Sequence, residues 1–271
     1  AFLSGTKPPK INSTKSLKVS VGQESENVFW TCLDLVNSAA KPVFYALCED
    51  LLSVVEKIKN ERNALLALKN RFFAWQNMFK QDSALLPEEK IVGLLGELYF
   101  IQNYMIPEFG ADCAVEAWSG PDGASKDFSV ENTWFEIKSV SLNNNSVKIS
   151  SINQLASPIP GKLVIIRYEP MSEQFEEPES NLYPLFRRIM ASLDNDVIKG
   201  KFISKLVAYG FDITGESYRK KYRISSMTFY TVEKEFPRLN EADIKYPEID
   251  KVSYSLLINS LERFKVEGDS L

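Results

Sequence analysis

A mixed α/β core preceded by a helical region is the fold class this sequence predicts, on three observations. Apolar residues recur at helical spacing from residue 42 to about 80 and again from 87 to about 105. The period then switches to the alternation of strands, in short runs punctuated by Gly120-Pro121-Asp122-Gly123 and Asn143-Asn144-Asn145. Helical spacing returns at 182–193 and 197–209, ahead of one more strand-like run at 222–232.

Residues 1–27, rich in Lys, Ser, Pro and Gly, read as a loose arm in which Leu17, Val19 and Val21 alternate as one short strand would. Phe44, Leu47, Cys48, Leu51, Leu52 and Val55 mark a first amphipathic helix, and Leu65, Leu68, Phe72, Trp75 and Phe79 a second whose aromatic residues belong to the core. Pro87 followed by Glu88 and Glu89 is a helix start, because Pro suits the first turn and acids complement the positive end of the dipole. That helix is expected to stop before Pro107. Strands are expected at 114–118, 126–130, 134–140, 147–150 and 163–168, forming the sheet of the core. An acidic loop at 173–180 precedes the later helices, and the segment after Phe236 is mixed in character. The expected division is an N-terminal arm and helical region at 1–86 and a core with C-terminal helices and strand at 87–271, which suits a chain of 271 residues.

Composition removes several chemistries. The chain has no His, which excludes Ser/His/Asp and Cys/His catalysis, His-ligated zinc and any His general base. Cys32, Cys48 and Cys113 lack metal-ligand spacing and cannot all pair, so they are expected as core thiols. Catalysis would have to run on carboxylates, Lys, Tyr or a hard metal ion. A net charge of −4 and an isoelectric point near 5.3 argue against coating nucleic acid through bulk charge, so local basic patches would have to serve. No apolar run approaches the roughly 20 residues of a bilayer span, and no membrane association is expected. The opening Ala1-Phe2-Leu3-Ser4-Gly5 reads as a processing scar rather than a leader, and a cytoplasmic location is the expectation.

The chemistry concentrates between Gly120 and Ser139. Alternation from Trp134 puts Glu136 and Lys138 on one strand face and Phe135 and Ile137 on the other. If residues 131–133 form a tight turn, the preceding strand returns Asp127 opposite Glu136 or Lys138, where cross-strand Cβ atoms lie about 5 Å apart. Close carboxylates repel one another unless a cation neutralises them, and Mg²⁺ prefers hard oxygen ligands of this kind. A metal held there could bind a phosphate oxygen and acidify water, with Lys138 orienting that water or stabilising the extra negative charge.

Asp127, followed across a hairpin by Glu136-Ile137-Lys138, resembles the D…(D/E)-x-K signature of the PD-(D/E)XK nuclease superfamily. The flanks sharpen the likeness. Gly93-Leu94-Leu95-Gly96-Glu97, Trp118-Ser119-Gly120-Pro121, Lys126-Asp127-Phe128, Glu136-Ile137-Lys138-Ser139 and Ile149-Ser150-Ser151-Ile152-Asn153-Gln154 resemble a bacterial PD-(D/E)XK-motif family associated with restriction–modification and phage-defence gene clusters. The likeness extends over about residues 42–254, including Phe236-Pro237-Arg238-Leu239. It implies a restriction-endonuclease-like central mixed sheet flanked by helices. It also implies a metal-dependent endonuclease that hydrolyses phosphodiester bonds in DNA, within a restriction or phage-defence system. The family pattern makes Asp127, Glu136, Lys138 and Glu97 the catalytic set. Asp127, Glu136, Ile137 and Glu97 would hold Mg²⁺, for which Mn²⁺ could substitute.

The literal Pro121-Asp122 pair is a decoy, because Asp122 lies five residues further from the turn and would pair beyond Ser139. Ser150, Ser151 and Gln154 match a further family segment in which hydroxyls and an amide could bind phosphate or cap a helix. Lys220 and Lys221, in Arg219-Lys220-Lys221-Tyr222-Arg223 with Lys199, Lys201 and Lys205 upstream, are the candidate phosphate contacts, although such a run also suits a solvated strand edge. A homodimer would serve double-strand cleavage, and partner subunits of a restriction or defence complex could supply DNA affinity that the acidic chain lacks. Two rivals stand beside the DNA nuclease: a non-catalytic nucleic-acid-binding or scaffold subunit of such a complex, and a nuclease acting on structured RNA.

Overall fold

The computed structural model describes residues 2–5, 7–8, 10–13, 17–36, 41–78, 86–172, 174, 176, 178, 180–211, 220–246 and 248–266. The chain divides into two compact units, Ala1–Leu86 with Asp194–Tyr218, and Pro87–Leu193 with Arg219–Leu271. The boundary read from sequence at 86/87 is one of the three crossings. Residues 194–218, assigned by that reading to the second region, instead belong to the first unit.

The first unit opens with a three-stranded antiparallel sheet in the order β1-β3-β2, from β1 (Phe2–Ser4), β2 (Leu17–Ser25) and β3 (Val28–Leu35). The sequence reading anticipated only β2; β3 was missed because Phe29-Trp30-Thr31-Cys32-Leu33 is half-buried on both faces and shows no clean alternation. Helix α1 (Lys41–Glu56) buries Leu47, Leu51 and Val54, one row at i, i+4, i+7, and leaves Leu52 exposed. Helix α2 (Glu61–Met78) buries Ala64, Leu68, Phe72 and Trp75 on one stripe. Phe79, read from sequence as the end of that stripe, lies outside the described residues.

The second unit starts with α3 (Glu88–Phe100), whose first turn carries Glu88 and Glu89 directly after Pro87. It does not end before Pro107. The helix passes through a π-helical turn, Ile101–Met105, into α4 (Ile106–Phe109), so Pro107 sits where the hydrogen-bond ladder has already shifted out of the α register. The expected strand at 114–118 is also corrected, because Ala111–Ala117 is a short helix, α5, and only Trp118 bridges to Phe128. Ala114, Val115 and Ala117 are buried on that helix, and a run of five residues does not by itself distinguish the two periods.

The central sheet has the order β4-β5-β7-β8, from β4 (Phe128–Val130), β5 (Thr133–Ser141), β7 (Gly161–Met171) and β8 (Lys221–Val232). It is mixed: β4 pairs antiparallel with β5, β5 parallel with β7, and β7 antiparallel with β8. The strand read at 147–150 is not part of it. Instead β6 (Ser146–Ile149) pairs with β9 (Tyr254–Leu257) in a separate two-stranded sheet. This is a mixed α/β architecture of restriction-endonuclease-like type. One face of the central sheet meets helices, with Phe100 and Tyr104 packed at tilted and edge-to-face angles around Phe135 and Phe229. On the other face Trp134, Val140, Leu163 and Ile165 form one core with Val147, Ile149 and Leu256 of the small sheet. Helix α6 (Leu182–Ser192) completes the second unit, whereas α7 (Asp196–Tyr209) belongs to the first and packs on α2. Among the described residues no helix is long and apolar enough to cross a membrane.

Helix α3 approaches β5 through Gly96. A Cβ on Gly96 would lie 2.2 Å from Ser139 Oγ, with Ile137 and Ile166 at ordinary contact distance. Ser139 Oγ is itself buried without a hydrogen-bond partner, so this hydroxyl is the one obstacle. Gly96→Ala should therefore destabilise the protein by about 1–3 kcal/mol through overpacking, despite its better helix propensity. In a Ser139→Ala background the same change should be neutral or stabilising, as urea denaturation of the two single variants and the double variant will show.

Candidate active site

The β4–β5 hairpin turns through Glu131 and Asn132, with Glu131 at φ 35°, as a two-residue hairpin connection requires. Its register pairs Phe128 with Phe135, and one step further places Asp127 opposite Glu136. Glu136 and Lys138 share the β5 face of Trp134 and Val140, so two charged side chains interrupt an otherwise apolar row. Glu136 is only 1% exposed, and Lys138 Nζ lies 2.8 Å from its Oε1. Beyond that ion pair neither oxygen of Glu136 has a hydrogen-bond partner. Asp127 Oδ2 accepts the Ile137 N–H at 2.8 Å, which ties the aspartate to the strand that carries the other two residues.

The Trp118-Ser119-Gly120 segment fixes this arrangement. The main-chain N–H groups of Ser119 and Gly120 donate to the Asp127 carbonyl at 2.8 and 3.1 Å, and Ser119 Oγ donates to the Lys126 carbonyl at 3.0 Å. Trp118 Nε1 donates to Glu97 Oε2 at 2.6 Å, bringing the α3 acid to the same place. Gly120 has no side chain because there is no room for one: a Cβ would sit 2.9 Å from Glu97 Oε2 and 3.1 Å from Asp127 Oδ1. Glu97 and Asp127 therefore flank one point.

The sequence-read residues divide as follows. Asp127, Glu136, Lys138 and Glu97 come together. Ile137 offers only its main chain, since its side chain is buried on the opposite face. Asp122 is exposed in a single 3₁₀ turn, Gly120–Asp122, outside the group. Ser150, Ser151 and Gln154 form the turn after β6, where the Ser150 N–H donates to Gln154 Oε1 at 2.7 Å and the Ser151 side chain makes no cap. Lys220 is paired with Glu88 at 2.8 Å, and Arg223 Nε donates to Glu169 at 2.7 Å, so this basic run is partly neutralised by neighbouring acids. Arg219 lies outside the described residues, and Lys199, Lys201 and Lys205 fall on α7 of the first unit.

Sequence reasoning missed Lys126. Its Nζ donates to the main-chain carbonyls of Asn153, Gln154 and Ala156 at 2.6, 2.7 and 3.1 Å and lies 4.0 Å from the Trp134 ring centroid. Burial pulls its pKa down to about 8, against the opposing pull of Glu136. Its adjacency to Asp127 was the only sequence signal.

The electrostatics fit a cation. Burial first, and then the charge of Asp127, push Glu136 up to about 8 despite Lys138. Asp127 is raised by burial, opposed by the Ile137 N–H and by Lys138 and Lys126. Among the described residues no group of three or more His, Cys, Asp or Glu is arranged to hold a metal ion, so the fit rests on this pair and on the unpartnered Glu136 carboxylate. Asp127 and Glu136 supply hard oxygens of the type a divalent cation takes.

The folded state holds the Glu136 and Asp127 protons more tightly than the unfolded chain does. Their contribution to stability is thus full below the ordinary Glu value of 4.5 and is lost as pH rises towards about 8. In chelator, the unfolding free energy of wild type relative to Glu136→Gln should fall across that window. Urea titrations at several pH values measure the difference, and a gap that is constant with pH would falsify the assignment.

Comparison with known proteins adds the family. No curated protein and no solved structure matches significantly. A family model described as "Putative PD-(D/E)XK family member" (DUF4420) matches residues 2–259, spanning the hairpin with Asp127, Glu136 and Lys138, and by that match the chain belongs to this PD-(D/E)XK family.

Proposed function

We propose that this protein is a metal-dependent nuclease that hydrolyses phosphodiester bonds in DNA, as an endonuclease of a restriction or phage-defence system. The observation that carries the proposal is Glu136: a buried carboxylate beside a second acid, with Lys138 at 2.8 Å from one oxygen and, among the described residues, no other hydrogen-bond partner. A protein gains nothing in stability from such a group, so its presence points to a charge supplied from outside.

Asp127 and Glu136 would hold Mg²⁺ or Mn²⁺, with the Ile137 main chain and Glu97 at its margin. The ion would supply positive charge to a phosphate oxygen and acidify the attacking water. Asp127 is oriented by the Ile137 N–H, so its free oxygen keeps one direction. Lys138, 17% exposed, carries three donors that can orient the water and offset the extra negative charge of the pentavalent transition state. The association with defence systems and the choice of DNA rest on the motif resemblance. Lys220 and Lys221 are proposed phosphate contacts, and at Lys220 a phosphate would compete with Glu88. Ser150, Ser151 and Gln154 are proposed contacts nearer the hairpin. A homodimer and partner subunits are part of the same proposal, as is a cytoplasmic location.

One observation favours the second reading, a non-catalytic nucleic-acid-binding or scaffold subunit. Glu97 Oε2 is already bonded to Trp118, and among the described residues no group of three or more acids is arranged to hold a metal.

Two substitutions separate these readings. Asp127→Ala should abolish Mn²⁺ binding in calorimetry and plasmid nicking together. Lys138→Ala should keep metal and DNA binding while lowering the rate of the chemical step by roughly 10²–10³-fold, because it removes a transition-state interaction. Cleavage by wild type in excess chelator, or wild-type cutting by Lys138→Ala, would overturn the mechanism. DNA binding without cleavage under any metal or partner would favour the scaffold.

A further inference from the structure

Lys126 is a lysine that cannot reach a substrate. All three N–H donors of its ammonium are given to the carbonyls of Asn153, Gln154 and Ala156, and the Trp134 ring lies beside it. The fourth carbonyl of the same stretch, Leu155, accepts from Arg238 at 2.9 Å. Four consecutive main-chain carbonyls are thus turned inward onto two cations. Only Leu155 of residues 150–156 is fully buried, so beyond the turn's own hydrogen bonds these two cations are what tie it to its surroundings.

The place it is fixed to is specific. Lys126 immediately precedes Asp127, and its own carbonyl is held by Ser119. Trp134, beside its ammonium, is two residues from Glu136 on the same strand face. The hydroxyl side of the turn is left open: Ser150 is exposed, and Ser151 stands at an N-cap position without making the cap. The Ser151 hydroxyl, engaged in no cap, can donate its proton to an outside acceptor such as a phosphate oxygen.

We infer that Lys126 is a positioning residue that fastens the 150–156 turn to the carboxylate hairpin, making that turn the flank of the site that grips the nucleic-acid backbone. The inference rests on the nuclease reading above. Lys126 does not touch the substrate. It sets where Ser150 and Ser151 stand relative to Asp127 and Glu136.

The test uses the full chain with Lys126→Met and Lys126→Arg. Hydrogen exchange in 150–156 should accelerate at least about tenfold in Lys126→Met while the 128–137 hairpin keeps its protection. On a DNA duplex with saturating Mg²⁺, KM should rise on the order of tenfold with kcat within about twofold. Lys126→Arg should not restore KM, because a planar fork cannot aim donors at three carbonyls gathered around one point. Unchanged exchange, a fall in kcat at constant KM, or full rescue by Arg each overturns the inference, the last because charge alone would then suffice. A wild type that neither binds nor cuts nucleic acid removes the nuclease reading and the flank with it. A wild type that cuts, with Lys126→Met indistinguishable from it, removes this inference alone.

Discussion

Two carboxylates set side by side on a sheet face repel one another, and burial multiplies the repulsion because less water screens it. The second unit is arranged to hold Asp127 and Glu136 in that unfavourable state. The hairpin register puts them opposite each other, the Ile137 N–H holds one, and Lys138 and Lys126 supply the nearby positive charge that keeps the pair from being prohibitive. Everything else at the site can be understood as steric or hydrogen-bonding support for this pair.

The support is supplied largely by backbone and by absent side chains. Gly96 lets α3 lie against β5, and Gly120 leaves room for two carboxylate oxygens at once. Ser119 anchors the main chain on either side of the Lys126–Asp127 bond, and Trp118 uses its one donor on Glu97. The Trp118-Ser119-Gly120 segment carries no catalytic group, yet it determines where two acids point.

The first unit gives an internal comparison. Asp50 is also buried, but it receives the Trp75 indole N–H at 2.7 Å and the Arg71 guanidinium at 3.2 Å, and Arg71 is fixed in turn by Asp196 at 2.9 Å. There the protein partners its own buried charge, as structural ion pairs generally do. Glu136 receives one lysine and no further hydrogen bond among the described residues. Asp50 Oδ1 also lacks a hydrogen bond, so the contrast is one of degree, an acid held by an indole and a guanidinium against one held by a single lysine.

The sequence by itself determined the elements whose information is local. Period 3.6 at 61–78 and period 2 at 133–141 follow from which face each side chain takes, and the shared face of Glu136 and Lys138 follows from their two-residue spacing. The absence of His settled which chemistries were closed. Local signals failed where a partner distant in sequence made the decision. Residues 111–117 became helix although the run 114–118 reads as strand, β6 left the central sheet for β9 more than 100 residues away, and α7 joined α2 instead of the core that precedes it. Only the tertiary structure brought Glu97 and Trp118 to Asp127, and only it showed that Lys126 grips a turn 27 to 30 residues ahead. No periodicity encodes such contacts, because they depend on which surfaces meet after each element has already formed.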